Sequence, residues 1–164
     1  MEDKHTVEIE RCWLIDQFPT GMNVIEIEDI YQSYLSISPE VRIRKLTDRY
    51  HGYEQTYALT IKGPKHLSRT EVELPISSNE YEALEAIAPY RPIHKIRRTY
   101  ELDDGLRLEC NAVEPDTDDF FMYADIEFPS EEAANEFVKL SFLGEEVTGN
   151  PNWIKDLRAR PKTN

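Results

Sequence analysis

The sequence is dominated by short segments in which apolar and ionisable side chains alternate with a period of two residues. Glu8 and Glu10 share one face of such a segment near the N-terminus, and Arg42 and Arg44 share one face of a later segment. Because successive side chains of a strand point to opposite faces, this pattern predicts β-strands with one apolar and one charged face. The segments are 7–14, 41–44, 57–62, 69–74, 95–97, 106–111 and 123–128, with a weaker one at 30–35.

The charged faces carry acids on some strands and bases on others. Such strands are typical of a sheet with its polar side in water, but they also suit an antiparallel sheet that closes into a barrel with its charged faces inward. We favour the barrel because a solvated face would accept Ser, Thr and Gln more freely, whereas an enclosed space requires charges of both signs. The residues concerned include the acid pairs Glu8/Glu10 and Asp125/Glu127, the basic pairs Arg42/Arg44 and Lys95/Arg97, and the mixed set Arg69, Glu71 and Glu73.

Helical segments interrupt the predicted strands and are expected to cover the outer apolar face of the barrel. Ser77 and Glu80 have the spacing of a capping box, which predicts a helix over 79–88. Ser130 is a good N-cap for a second helix over 131–140, and a weaker helical pattern runs from 153 to 160. The predicted fold class is therefore α+β, mainly β, with a closed antiparallel barrel.

Length, charge and cysteine content limit the functions that this chain can have. The 164 residues correspond to one domain, and the net charge of −13 argues against binding to duplex nucleic acid. No apolar run approaches the roughly 18 residues of a membrane span, and the N-terminal residues lack the apolar stretch of a signal peptide. Cys12 and Cys110 lie far apart in the sequence. We therefore expect a cytoplasmic protein with free thiols and no membrane partner.

A tunnel that contains both signs of charge suits a ligand that combines phosphate groups with a metal ion. Carboxylates bind hard divalent ions such as Mg²⁺ or Mn²⁺. Arginine and lysine side chains bind phosphate oxygens, arginine through two parallel hydrogen bonds. The pattern therefore predicts metal-assisted phosphoryl chemistry, in which positioning and charge neutralisation provide most of the catalysis.

A series of short motifs, in chain order, resembles the CYTH superfamily of triphosphate tunnel metalloenzymes. Glu8-Ile9-Glu10 is similar to the opening of the ExExK signature of that family, and residues 142–148 are similar to its W-L/F-G-x-E-V-T motif. Similar segments lie between them at 32–35, 41–44, 59–63, 68–73, 95–97 and 124–128. Agreement of several motifs in register is stronger support than any one of them alone.

The resemblance implies an eight-stranded antiparallel barrel around a charged tunnel, here as a single domain over 1–164. It implies a small-molecule triphosphate as the partner, namely tripolyphosphate or a nucleoside or thiamine triphosphate, with Mg²⁺ or Mn²⁺ as the cofactor; assembly as a homodimer is left open. By motif, Glu8, Glu10 and Glu127 would be the catalytic acids, and together with Asp125 they would be the metal ligands. The triphosphate-binding cations would be Arg42, Arg44, Lys62, Arg69, Lys95 and Arg97, with Glu71, Glu73 and Asn111 as additional candidates.

Two positions depart from the family pattern and keep alternative functions open. The signature lysine is Cys12 here, and Asn111 stands where the family has an acid. An amide oxygen can ligate a metal but cannot act as a base. The expected activity is hydrolysis of inorganic triphosphate or a related organic triphosphate. The alternatives are a class IV adenylate cyclase, which would convert ATP to cyclic AMP, and a catalytically weak module that binds nucleotides or polyphosphate.

Overall fold

The computed structural model describes residues 6–150 and 155–162 of the chain. The strands are β1 (Val7–Ile15), β2 (Val24–Ser36), β3 (Glu40–Asp48), β4 (Gln55–Lys62), β5 (Ser68–Pro75), β6 (Ile93–Glu101), β7 (Arg107–Val113) and β8 (Phe121–Glu127). The helices are α1 (Ser78–Ile87), α2 (Glu131–Glu136) and α3 (Lys155–Arg158). Every predicted strand is present, and β2 is much longer than the weak pattern at 30–35 indicated.

The eight strands close into an antiparallel barrel in the order β1-β5-β4-β3-β2-β6-β7-β8, which confirms the predicted fold class. Seven of the eight neighbouring pairs are joined by at least five residue pairs, but β1 and β5 pair over three residues at Val7, Glu8 and Ile9. The remainder of that edge of β1 needs another partner, since an unpaired buried backbone is costly.

The segment 143–148 supplies this partner. Leu14 N donates to Glu145 O at 2.8 Å, and Val147 N donates to Cys12 O at 2.8 Å. Gly144 N also donates to Leu14 O at 2.8 Å, and a Cβ atom at Gly144 would lie 2.7 Å from that same oxygen. The segment that resembles the family motif W-L/F-G-x-E-V-T therefore completes the barrel wall. Gly144 permits this close backbone approach because it has no Cβ atom.

The outer apolar face of β1, β6, β7 and β8 forms the larger hydrophobic core. Trp13, Leu108 and Ile126 are completely buried there. Phe137, which follows α2, packs against Trp13 with ring centroids 5.9 Å apart. A second apolar cluster consists of Cys12, Tyr34, Ile93, Val113, Tyr123, Val147 and Leu157.

The helices agree with the sequence prediction at their starts better than at their ends. Both halves of the predicted capping box between Ser77 and Glu80 are formed, and Ser130 caps α2. The prediction that the second helix continues to residue 140 was wrong. Phe137 takes an extended conformation and turns into the core, which ends α2 at Glu136. Of the predicted helix over 153–160, residues 153 and 154 lie outside the described residues.

None of the helices within 6–150 and 155–162 is long and apolar enough to cross a membrane.

Candidate functional site

The barrel encloses a cavity of about 350 Å³ whose walls are almost entirely charged. All the site residues predicted from the sequence except Asn111 line it. Its described lining contains nine acidic and eight basic side chains, so the walls are nearly neutral although the whole chain carries −13. The acids are Glu8, Glu10, Glu26, Glu28, Glu71, Glu73, Glu109, Asp125 and Glu127, and the bases are Arg42, Arg44, Lys62, Lys65, Arg69, Lys95, Arg97 and Arg107.

Strand register explains how the predicted acids meet. On the paired strands β1 and β8, Glu10 lies opposite Glu127 and Cys12 lies opposite Asp125. Since directly opposed residues in an antiparallel pair point to the same face, all four side chains are directed inward. The two acid-bearing strands are distant in sequence, and closure of the barrel makes them neighbours.

The predicted cations on β3 and β6 face the same interior. Lys95 is 2% exposed and donates to Tyr123 Oη at 3.1 Å. Burial lowers the pKa of Lys95 well below its usual value, and the neighbouring guanidinium groups of Arg97 and Arg42 lower it further. The Nε atoms of Arg42 and Arg44 are buried and have no hydrogen-bond partner among the described residues. This concentration of positive charge would be relieved by an anion.

Between the acids and these cations lies a buried ion-pair network centred on Glu8. Lys62 Nζ lies 2.9 Å from Glu8 Oε1 and 3.0 Å from Glu71 Oε2, and Arg69 Nε lies 2.9 Å from Glu8 Oε2. Burial opposes ionisation of Glu8, but Lys62 and Arg69 outweigh it and lower its pKa to about 2. In this arrangement the two predicted cations hold a predicted acid ionised.

The environment of Glu10 is the opposite of that of Glu8. Enclosure in the tunnel raises the pKa of Glu10 well above its usual value, and the carboxylates of Asp125 and Glu8 raise it further. Burial also raises the pKa of Asp125 and of Glu127. Carboxylates that repel one another in this way are stabilised by a divalent cation, and oxygen donors suit a hard ion. Within the described residues, however, no three His, Cys, Asp or Glu side chains already converge on a single point.

The two positions that depart from the family pattern have defined surroundings. Asn111 is completely buried, and its Oδ1 accepts from Arg97 Nε at 3.0 Å. Its carbonyl therefore positions a predicted phosphate-binding cation. Cys12 is 2% exposed and lies opposite Asp125 on β8. Burial, and then the carboxylate of Asp125, raise the pKa of its thiol well above the usual value. Such a thiol is a poor nucleophile.

Several lining residues were not among the predicted site residues. Tyr123 and Glu109 lie two residues from Asp125 and Asn111 on the same strand faces, so the period-two alternation contained the signal for them. Lys65 lies in the loop between β4 and β5, where no periodic pattern exists. The other residues that the prediction missed are Glu26, Glu28, Gln32, Tyr34, Leu46 and Arg107.

A closed eight-stranded antiparallel barrel with a charged tunnel defines the class of this protein. The model of the CYTH domain matches residues 7–145, and the chain belongs to this family.

Known proteins of this fold agree with that assignment. The inorganic triphosphatase of Nitrosomonas europaea is 32% identical to this chain over 142 residues, which is 86% of this chain and 89% of that protein. A crystal structure of an inorganic triphosphatase covers 95% of this chain and 97% of its own, with 28% identity and a TM-score of 0.61. A putative adenylate cyclase from Bacillus halodurans covers 97% of this chain and 94% of its own at 14% identity and a TM-score of 0.52, a likeness that concerns the fold alone.

Proposed function

We propose that this protein hydrolyses inorganic triphosphate or a related organic triphosphate inside the tunnel, with the help of a divalent metal ion. The observation that carries the proposal is the arrangement of charge in the cavity. Two strands present the cations Arg42, Arg44, Lys95 and Arg97, and two others present the acids Glu8, Glu10, Asp125 and Glu127. The similarity to inorganic triphosphatases supports the same activity.

The metal is proposed to be Mg²⁺ or Mn²⁺. Glu10 and Asp125 are the best ligands, because each has a raised pKa that a bound cation would reverse, and Glu127 stands opposite Glu10. Glu8 can contribute an oxygen only in competition with Lys62 and Arg69, which contact both of its oxygens. When bound, the ion supplies neutralisation of phosphate charge and activation of water.

The side chains of this chain have separate tasks in the proposed reaction. Arg42 and Arg44 bind phosphate oxygens through guanidinium groups whose Nε atoms lack a partner among the described residues. Lys95 and Arg97 add positive charge on the neighbouring wall, and Asn111 holds Arg97 in place. The side chains of Arg44, Arg97 and Lys95 are largely buried inside the barrel, which strengthens each of these contacts. Positioning and charge neutralisation are the main demands of phosphoryl transfer.

A phosphate-release assay tests the proposal. Purified protein is incubated with tripolyphosphate, ATP or thiamine triphosphate, with Mg²⁺, Mn²⁺ or EDTA. We expect metal-dependent release of phosphate, with tripolyphosphate among the substrates. The absence of turnover of every substrate, together with tight binding measured by calorimetry, would contradict hydrolysis and indicate a binding module. Formation of cyclic AMP from ATP would indicate the cyclase.

Three further expectations concern the whole protein. A single domain over 1–164 and a cytoplasmic location remain predictions, and assembly as a homodimer remains open. Light scattering after size-exclusion chromatography measures the oligomeric state, and limited proteolysis tests whether the chain behaves as one unit.

A further inference from the structure

Lys65 is a tunnel residue that the strand pattern does not predict. It lies in the loop of residues 63–67 that joins β4 to β5, it is partly buried, and it lines the same cavity as the predicted site residues. The loop begins with Gly63-Pro64, which turns the chain sharply after the buried Lys62. Two lysines three positions apart therefore enter one cavity, the first from a strand and the second from a turn.

Backbone contacts tie this loop to β1 and to β5. Glu10 N donates to Leu67 O at 3.1 Å, and Gly63 N donates to Thr70 O at 2.9 Å. The side chain of Leu67 packs against the larger hydrophobic core. Because Leu67 is bonded to the backbone of Glu10, Lys65 lies only two residues from a fixed point beside the predicted acids.

The surroundings of Lys65 place its charge at the acidic side of the tunnel. Lys65 lines the cavity together with Glu10 and Asp125, whose carboxylates attract its ammonium, and with Arg69, whose guanidinium repels it. Strand β1 turns Glu8, Glu10 and Cys12 inward and contributes no cation of its own at this level. Lys65 thus brings positive charge to the place where β1 has a neutral thiol.

Two other cations near these acids, Lys62 and Arg69, belong to the buried ion-pair network of Glu8. Lys62 bridges Glu8 and Glu71, and Arg69 contacts Glu8 at 2.9 Å. Moving either ammonium or guanidinium toward a ligand beside Glu10 would break a buried ion pair, which is costly. Lys65 lines the same cavity from a loop, so a phosphate beside Glu10 and Asp125 can meet a cation there while the ion pairs of Glu8 stay in place.

We propose that Lys65 is a substrate-binding residue whose ammonium contacts the triphosphate at the Glu10–Asp125 side of the tunnel, in place of a lysine on β1. This inference rests on the proposed function, since it presumes that the tunnel accepts a triphosphate. It assigns a role to the loop of residues 63–67. It also explains how position 12 can be a neutral cysteine, because Lys65 supplies the positive charge that the family signature places on β1.

The test compares three variants with the unmodified protein. Lys65→Met removes the charge and keeps the length of the side chain, and Lys65→Arg keeps the charge. Lys45→Met is the matched control, because Lys45 alternates with the inward-facing Arg44 on β3 and does not line the cavity. Calorimetry measures the Kd for tripolyphosphate in EDTA, and phosphate release with Mg²⁺ measures kcat and KM. Thermal unfolding of each variant confirms that it is folded.

We expect Lys65→Met to raise the Kd for tripolyphosphate about tenfold or more, the effect of losing one charge-assisted hydrogen bond, and to raise KM similarly. The difference should shrink as salt is added, because screening weakens the contact. Lys65→Arg and Lys45→Met should stay within about twofold of the unmodified protein. A Kd in Lys65→Met equal to that of Lys45→Met would overturn the role of Lys65 while leaving the proposed function intact. Failure of the unmodified protein to bind tripolyphosphate would overturn both.

Discussion

Lys62 Nζ lies 2.9 Å from Glu8 Oε1 inside the barrel, and neither side chain is more than 6% exposed. Removal of one partner from a buried pair leaves the other charge poorly compensated. We expect Lys62→Met to lower the free energy of unfolding by about 3 kcal/mol, measured by urea denaturation in EDTA at pH 7. The double variant with Glu8→Gln should be more stable than Lys62→Met alone. Equal stability of Lys62→Met and the unmodified protein would show that Arg69 suffices for Glu8.

Glu10→Gln should have opposite effects on activity and stability. Loss of a principal metal-stabilising group should reduce metal-dependent turnover at least about a hundredfold. The neutral amide also removes repulsion among Glu10, Asp125 and Glu8, so the free energy of unfolding in EDTA should rise. Glu132→Gln, on the exposed face of α2, is the control and should change neither quantity. Unchanged turnover in Glu10→Gln would remove Glu10 from the site.

Glu40 makes stability depend on pH at the junction of β3, β5 and the C-terminal segment. It contacts Arg158 at 3.3 Å and Arg69 at 3.8 Å. Burial opposes its ionisation, but Arg42 and Arg69 outweigh this and lower its pKa below the usual 4.5. Its stabilising contribution is therefore present above about pH 4.5 and is lost as the pH falls below that value.

The Glu40→Gln variant tests this pH dependence directly. At pH 7 it should be less stable than the unmodified protein by about 1.5–3 kcal/mol, the usual contribution of a hydrogen bond to a charged group. The difference should narrow as the pH falls below about 4.5, because the native carboxylate itself becomes protonated at a pH lower than its usual pKa. Urea denaturation at several pH values measures the free energy of unfolding of both proteins. A difference that does not vary with pH would contradict the lowered pKa.

Gly144→Ala should weaken the attachment of the segment 143–148 to β1. The added Cβ would meet Leu14 O at 2.7 Å, which requires the backbone to shift. We expect a loss of about 1–3 kcal/mol in the free energy of unfolding, typical of overpacking. Gly52→Ala is the matched control, because no atom lies within 4 Å of a Cβ placed there. If the two variants are equally stable, the wall can absorb the extra methyl group.

The alternation of side chains along single strands was sufficient to predict the barrel and most of its lining. Arg42 and Arg44 illustrate the reason, since period two forces them to one face whatever the partner strand is. The pairing of Glu10 with Glu127 could not be derived in that way. It depends on the closure of β8 against β1 across more than a hundred residues, and alternation along one strand contains no information about register between strands.

Asn111 and Lys65 show where the sequence alone was insufficient. The period-two pattern directed Asn111 inward, but only the packed structure shows that its carbonyl accepts from Arg97. Lys65 belongs to a loop, in which no repeat fixes the direction of a side chain, and its place beside Glu10 follows from the bond between Glu10 N and Leu67 O. The sequence by itself determined which strand faces are charged, because that depends on local geometry. Tertiary structure decided which charges meet, because ion pairs form between segments that the fold alone brings together.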